Sequence, residues 1–175
     1  MQKDGTILVV DDSVDERELI EMSLRAVGVT CNIRALRDGS EAIAYLAGEG
    51  AFADRAANPY PTLILTDLKM PGADGFAVLE FLRTHIDHTV IPTVVFSGSS
   101  DADDIRTAYR LGASSYIVKP TRTDELQRRL RVMMEYWLLC EAPAISASGE
   151  HLRTDSRGKL GERFSAEPFP PKAPK

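Results

Sequence analysis

The sequence predicts an α/β fold, doubly wound, with a five-stranded parallel sheet covered by helices on both faces. Three observations predict it. Short apolar runs alternate along the chain with stretches of helical period. The first run, Thr6 to Val10, is continuous rather than alternating, as a strand buried on both faces requires. Right-handed crossovers then restrict five strand–helix pairs to a doubly wound arrangement.

The elements follow in order. Thr6 to Val10 is a β-branched apolar run and the first strand. Residues 14 to 27 carry Ile20, Leu24 and Val27 on one helical stripe, and Gly28 fits the position just past a helix end. Thr30 to Leu36 alternates weakly and reads as the second strand, and Ser40 can cap a helix running to Leu46. Residues 47 to 61 hold Gly48, Gly50, Asn58, Pro59 and Pro61, the composition of a long surface loop. Leu63 to Thr66 is the third strand, and the helix after Gly72 places Phe76, Leu79 and Leu82 at core spacing. Pro92 to Ser97 is the fourth strand, residues 101 to 111 the helix closed by Gly112, and Ser115 to Val118 the fifth strand. Leu126, Leu130, Met133 and Trp137 mark a last amphipathic helix. Residues 5 to 140 thus read as one domain, and the proline-rich stretch 141–175 as a disordered tail.

Composition narrows the function classes. A net charge of −5 gives no general pull toward nucleic acid or anionic membranes, and no apolar run approaches the roughly 20 residues that span a bilayer. Cys31 and Cys140 lie far apart, form no metal or redox motif, and read as reduced thiols in the cytoplasm. No basic helix-turn-helix stretch is visible, so direct DNA binding is not expected.

The chemistry gathers behind the strands. Asp11 and Asp12 follow strand one, Asp67 follows strand three, Ser97 ends strand four and Lys119 follows strand five. In an open parallel sheet these positions share the carboxyl edge, where ligands bind. Three carboxylates in one crevice repel one another, and a hard divalent cation such as Mg²⁺ resolves the conflict. Lys119 adds a charge that can pair with a carboxylate or a phosphoryl oxygen. Asp67 is the candidate nucleophile, since a carboxylate can form an acyl phosphate. Taken singly, an Asp-Asp pair is a turn or cap, Lys-Pro a surface turn and a terminal Ser a hydrogen-bonding turn residue. Their joint occurrence, each behind its own strand, carries the functional reading.

The segments Val9-Val10-Asp11-Asp12-Ser13, Leu65-Thr66-Asp67-Leu68-Lys69-Met70-Pro71-Gly72, Phe96-Ser97-Gly98 and Tyr116-Ile117-Val118-Lys119-Pro120 resemble the receiver domains of two-component response regulators. The resemblance implies the flavodoxin-like strand order 2-1-3-4-5. It implies Asp67 as phosphoacceptor, Asp12 and Asp67 as Mg²⁺ ligands, Asp11 acting through water, and Lys69 supplying its backbone carbonyl. It further implies Lys119 on the phosphoryl group, a cis bond from Lys119 to Pro120, Ser97 and Tyr116 as the switch pair, and slow self-dephosphorylation. Tyr45-Leu46 with the loop to Pro61, Asp104 to Ala113, and Tyr136-Trp137-Leu138 resemble the stand-alone receivers partnered with bacterial phytochrome histidine kinases. The loop admits two readings, a tolerated insertion or a partner contact.

The expected function is phosphoryl transfer from a histidine kinase to Asp67. A homodimer is expected through the fourth helix, fifth strand and fifth helix, because Tyr136, Leu138, Leu139 and Cys140 lie off the core stripe. The alternative is a Mg²⁺-dependent phosphatase with an Asp nucleophile, of the haloacid-dehalogenase type. That chemistry needs a second Asp two residues on, where this chain has Lys69. A phosphorylation-independent binding module leaves the acidic site unexplained, and a flavin module lacks a phosphate-cradling loop after strand one.

Overall fold

The computed structural model describes residues 5–85 and 91–140. The tail expected over 141–175 lies outside the described residues, as does the side chain of Leu138.

Among the described residues, five parallel strands alternate with five α-helices. The strands are β1 (Thr6–Val10), β2 (Asn32–Leu36), β3 (Leu63–Thr66), β4 (Thr93–Ser97) and β5 (Ser115–Val118). The helices are α1 (Val14–Ala26), α2 (Gly39–Ala47), α3 (Gly75–Thr84), α4 (Ala102–Arg110) and α5 (Thr123–Leu139). The strand order is 2-1-3-4-5, as expected. The chain therefore leaves β1 to one side and comes back on the other, which opens a crevice between the ends of β1 and β3.

The burial pattern follows this order. The three central strands are buried along their whole length, whereas the edge strands β2 and β5 are partly exposed. Successive residues of β1 face opposite layers. Ile7 and Val9 join Ile20 and Leu24 of α1 and Leu126, Leu130, Met133 and Trp137 of α5. Leu8 and Val10 join Ala42, Tyr45 and Leu46 of α2 and Val78 and Leu82 of α3. Each such Leu or Ile side chain removed from water stabilises the fold by about 1.5–3 kcal/mol. A third cluster, with Leu68, Leu79, Val95, Ala108 and Ala113, seats α4.

The helix starts are set by side chains that accept otherwise orphaned amides. Ser13 accepts from the amide of Glu16, Asp74 from that of Ala77, and Asp101 from those of Asp103 and Asp104. Gly28 follows α1 with φ of 100°, the left-handed geometry its position suggested. The cap of α2 is Asp38 rather than the expected Ser40. The amide of Gly39 donates to Ala73 O at 3.0 Å, which fixes the helix start two residues earlier and places Ser40 inside the first turn.

The long segment after α2 is not a loose loop. It forms a short 3₁₀ turn at Gly50–Phe52 and buries Phe52 and Tyr60 in the α2–α3 core. The Arg55 guanidinium donates to Tyr45 O and Leu46 O, both at 2.7 Å, and so caps the last carbonyls of α2. Tyr45 donates its hydroxyl to Pro59 O at 2.7 Å, and Tyr60 to Leu46 O at 3.0 Å. Among the described residues no helix is long and apolar enough to cross a membrane.

Candidate functional site

The backbone at the carboxyl edge is held by hydrogen bonds that run one residue past each strand. Asp11 N donates to Leu36 O at 3.1 Å, Asp67 N to Val10 O at 2.8 Å, and Lys119 N to Ser97 O at 2.8 Å. Three residues distant in sequence are thereby fixed against neighbouring strands, and their side chains meet. The Lys119 ammonium lies 2.5 Å from Asp11 Oδ2, 2.8 Å from Asp67 Oδ2 and 3.7 Å from Glu16 Oε2. Ser97 Oγ donates to Asp67 Oδ1 at 2.5 Å, and the same oxygen accepts from the amides of Leu68 at 2.5 Å and Lys69 at 3.2 Å. The Asp67 carboxylate thus has four donors.

Burial by itself would push the Asp67 carboxyl up. The hydrogen bonds from Lys119 and Ser97 and the lysine charge outweigh it and hold the group below its ordinary value. Burial would likewise lower Lys119, but Asp11 and Asp67 raise it above the ordinary lysine value. Both groups are charged at neutral pH. Asp11 is fully buried and takes the amide of Ser13 on Oδ1 at 2.9 Å, whereas Asp12 is exposed.

Asp11, Asp12 and Asp67 each offer a carboxylate oxygen, and these atoms lie within 4.8 Å of one another. An all-oxygen, partly solvated, acidic set suits a hard divalent cation that retains water, and Mg²⁺ fits it.

No room is left behind Asp67. A Cβ on Gly75 would collide with the Asp67 carbonyl oxygen, so the start of α3 packs directly on the Asp67 backbone.

Tyr116 stands where expected on β5. It packs against the third core cluster and donates its hydroxyl to Ser99 O at 2.9 Å, so it is tied to the β4–α4 connection. Lys69 directs its ammonium away from the carboxylates to Asp104 Oδ2 at 2.8 Å. No second acid follows Asp67 at the position the phosphatase reading requires. The cis bond expected before Pro120 is not found: no peptide among the described residues is cis. Trans is the lower-energy form of an X–Pro bond by about 0.5–1 kcal/mol, and Lys119 reaches both carboxylates from it.

Sequence reasoning missed Glu16, Ser99 and Asp104. Glu16 is legible only as a first-turn acid of α1, and Ser99 and Asp104 only as parts of a capped helix start.

Comparison with known proteins agrees with this geometry. Residues 7–131 match the family model of the response regulator receiver domain. The probable methanogenesis regulatory protein FilR2 of Methanothrix harundinacea is 34% identical over 132 residues, which is 75% of this chain and 83% of that protein. Response regulator Rcp1 of Synechocystis is 32% identical over 132 residues, 75% of this chain and 88% of its own. A crystal structure of the Mn²⁺-bound form of Rcp1 aligns with a TM-score of 0.72 at 31% identity, covering 80% of this chain and 99% of that one. The phosphorylated cyanobacterial phytochrome response regulator RcpA aligns with a TM-score of 0.74 at 34% identity, covering 82% and 100%. The fold, the convergent acidic edge and these matches lead to one conclusion: the chain belongs to the response regulator receiver domain family, the phosphoacceptors of two-component signalling.

Proposed function

We propose that Asp67 is the residue that takes the phosphoryl group and that it does so in a Mg²⁺ site formed by Asp11, Asp12, Asp67 and the backbone carbonyl of Lys69. The observation that carries this reading is the Lys119 ammonium held between Asp11 and Asp67, with Ser97 on the other Asp67 oxygen. Asp67 attacks the phosphorus of a phosphohistidine on the kinase. The P–N bond breaks, the imidazole leaves, and an aspartyl phosphate remains. Mg²⁺ supplies positive charge to the carboxylates and the phosphoryl oxygens. Lys119 then exchanges a carboxylate for a phosphoryl oxygen, and Ser97 turns its hydroxyl from Asp67 Oδ1 to the new group. Tyr116 follows by releasing Ser99 O. Hydrolysis of the aspartyl phosphate is slow and returns the switch.

The kinase partner is of the phytochrome-linked class, a reading supported by the similarity to RcpA, itself a phytochrome response regulator. The output is contact with protein rather than DNA, in the cytoplasm, by a homodimer through α4, β5 and α5. Tyr136 and Leu139 support that surface, being 59% and 78% exposed at the end of α5. Phosphotransfer from purified histidine kinases tests the acceptor: wild type with Mg²⁺ is labelled, whereas Asp67→Asn and chelator-treated wild type are not. Full labelling of Asp67→Asn would move the acceptor elsewhere. Sedimentation of wild type and the Tyr136→Ala/Leu139→Ala variant tests the dimer, and a strictly monomeric wild type removes it.

A further inference from the structure

Beside the acceptor a second set of polar contacts spans from the β3–α3 connection to α4. Lys69, two residues past Asp67, places its ammonium 2.8 Å from Asp104 Oδ2 in the first turn of α4. Ser99 donates its hydroxyl to the same oxygen at 2.6 Å. The amide of Ser99 donates to Ser97 Oγ at 3.4 Å, and its carbonyl accepts the Tyr116 hydroxyl at 2.9 Å. Ser99 thus touches the hydroxyl on Asp67, the aromatic on β5 and the acid on α4 at once.

We propose that Lys69, Asp104 and Ser99 form a latch that holds the start of α4 against the acceptor segment in the unphosphorylated protein and opens when Asp67 is phosphorylated. The proposal rests on Asp67 being the acceptor. An aspartyl phosphate adds anionic oxygens next to Ser97 Oγ. If Ser97 turns to them, the Ser99 amide loses its present acceptor, and the Ser99 backbone can follow only by pulling on Asp104. The Lys69 ammonium pins the same Asp104 to the acceptor segment and so resists the same movement. Both arms of the latch therefore favour the unphosphorylated arrangement, and breaking either shifts the population toward the other one. Asp104 and Ser99 are positioning residues here and need no contact with the phosphoryl group.

The experiment is a calorimetric titration of the full chain with beryllium fluoride in excess Mg²⁺, a phosphoryl mimic, together with thermal unfolding of the same samples. Asp104→Asn and Lys69→Met are each expected to tighten binding by about two- to five-fold, the range an exposed ion pair allows. The double variant is expected to gain no more than the better single one. Opposite signs for the two single variants would mean that charge near the acceptor acts without a latch. Unchanged affinity with a lowered unfolding temperature would make the contacts merely structural, and additive gains would make them independent. Each of these three results overturns the latch alone. A wild type that fails to bind the mimic overturns the acceptor reading, and the latch with it.

Discussion

Lys119 pairs with two carboxylates from which water is largely excluded; the side chains of Lys119, Asp11 and Asp67 are 13%, 2% and 11% exposed. Replacing it by Met keeps the aliphatic stem and leaves Asp11 and Asp67 facing each other uncompensated. Removing one partner of a buried pair costs about 3–5 kcal/mol, but a carboxylate can escape by taking up a proton. At pH 7 an ordinary aspartate is about 3 pH units above half-protonation, and at about 1.4 kcal/mol per unit this caps the penalty at about 4 kcal/mol. At pH 5 the same cap is about 1.5 kcal/mol. Metal-free Lys119→Met is therefore expected to be less stable than wild type by about 2–4 kcal/mol at pH 7 and by under about 1.5 kcal/mol at pH 5. Added Mg²⁺ should recover part of the loss. Urea unfolding in chelator, at both pH values and again with Mg²⁺, measures this. A variant as stable as wild type at pH 7, or a deficit that does not change between the two pH values, would refute the reasoning.

Four further outcomes are expected. Burial pushes the Cys31 thiol up to about 12, so in native protein a thiol reagent should label Cys140 quickly and Cys31 only on unfolding. Because folded Cys31 keeps its proton where the unfolded thiol loses it, its contribution is complete below about pH 8.5 and is lost as pH rises toward 12. The stability gap between wild type and Cys31→Ala should shrink over that range, as alkaline unfolding series would show. Gly75→Ala should weaken Mg²⁺ binding as well as stability, because its methyl displaces the Asp67 carbonyl; calorimetry with Mg²⁺ that finds normal affinity would contradict this. Arg55→Ala should cost about 1–3 kcal/mol in urea unfolding, since it removes the charged donor from two helix-end carbonyls, which keep only the Gly48 amide and the Tyr60 hydroxyl.

Most of the fold was legible because each strand is a short apolar run, and the convergence of Asp11, Asp67 and Lys119 at one sheet edge was legible because each follows a strand. The start of α2 was not. Asp38 and Ser40 are both competent caps, and the choice is made by Ala73, which is distant in sequence. The fit of the segment 48–61 was hidden for a similar reason. Its glycines and prolines announce turns, but that Arg55 would cap α2 depends on a closed tertiary shape. Lys119 shows the limit of reading residues by position alone. Its place after β5 predicts a pairing with a carboxylate or a phosphoryl oxygen, and only the folded chain adds that it bridges two acids, Asp11 and Asp67, at once.

The Arg55 staple has a consequence for how the molecule opens. A segment of this length without internal fastening would exchange its amide hydrogens independently of the sheet. Here its middle is tied through Arg55 to the carbonyls of Tyr45 and Leu46, and its aromatics are seated beside Leu8 and Ile64. The Asn58 amide is bonded to Asp54 O at 2.8 Å, and Asn58 O accepts from the same Arg55 that caps α2, at 3.4 Å. Segment, helix and one face of the sheet are then expected to open as a single cooperative unit. Shortening the chain between α2 and β3 would remove part of that unit rather than trim its surface.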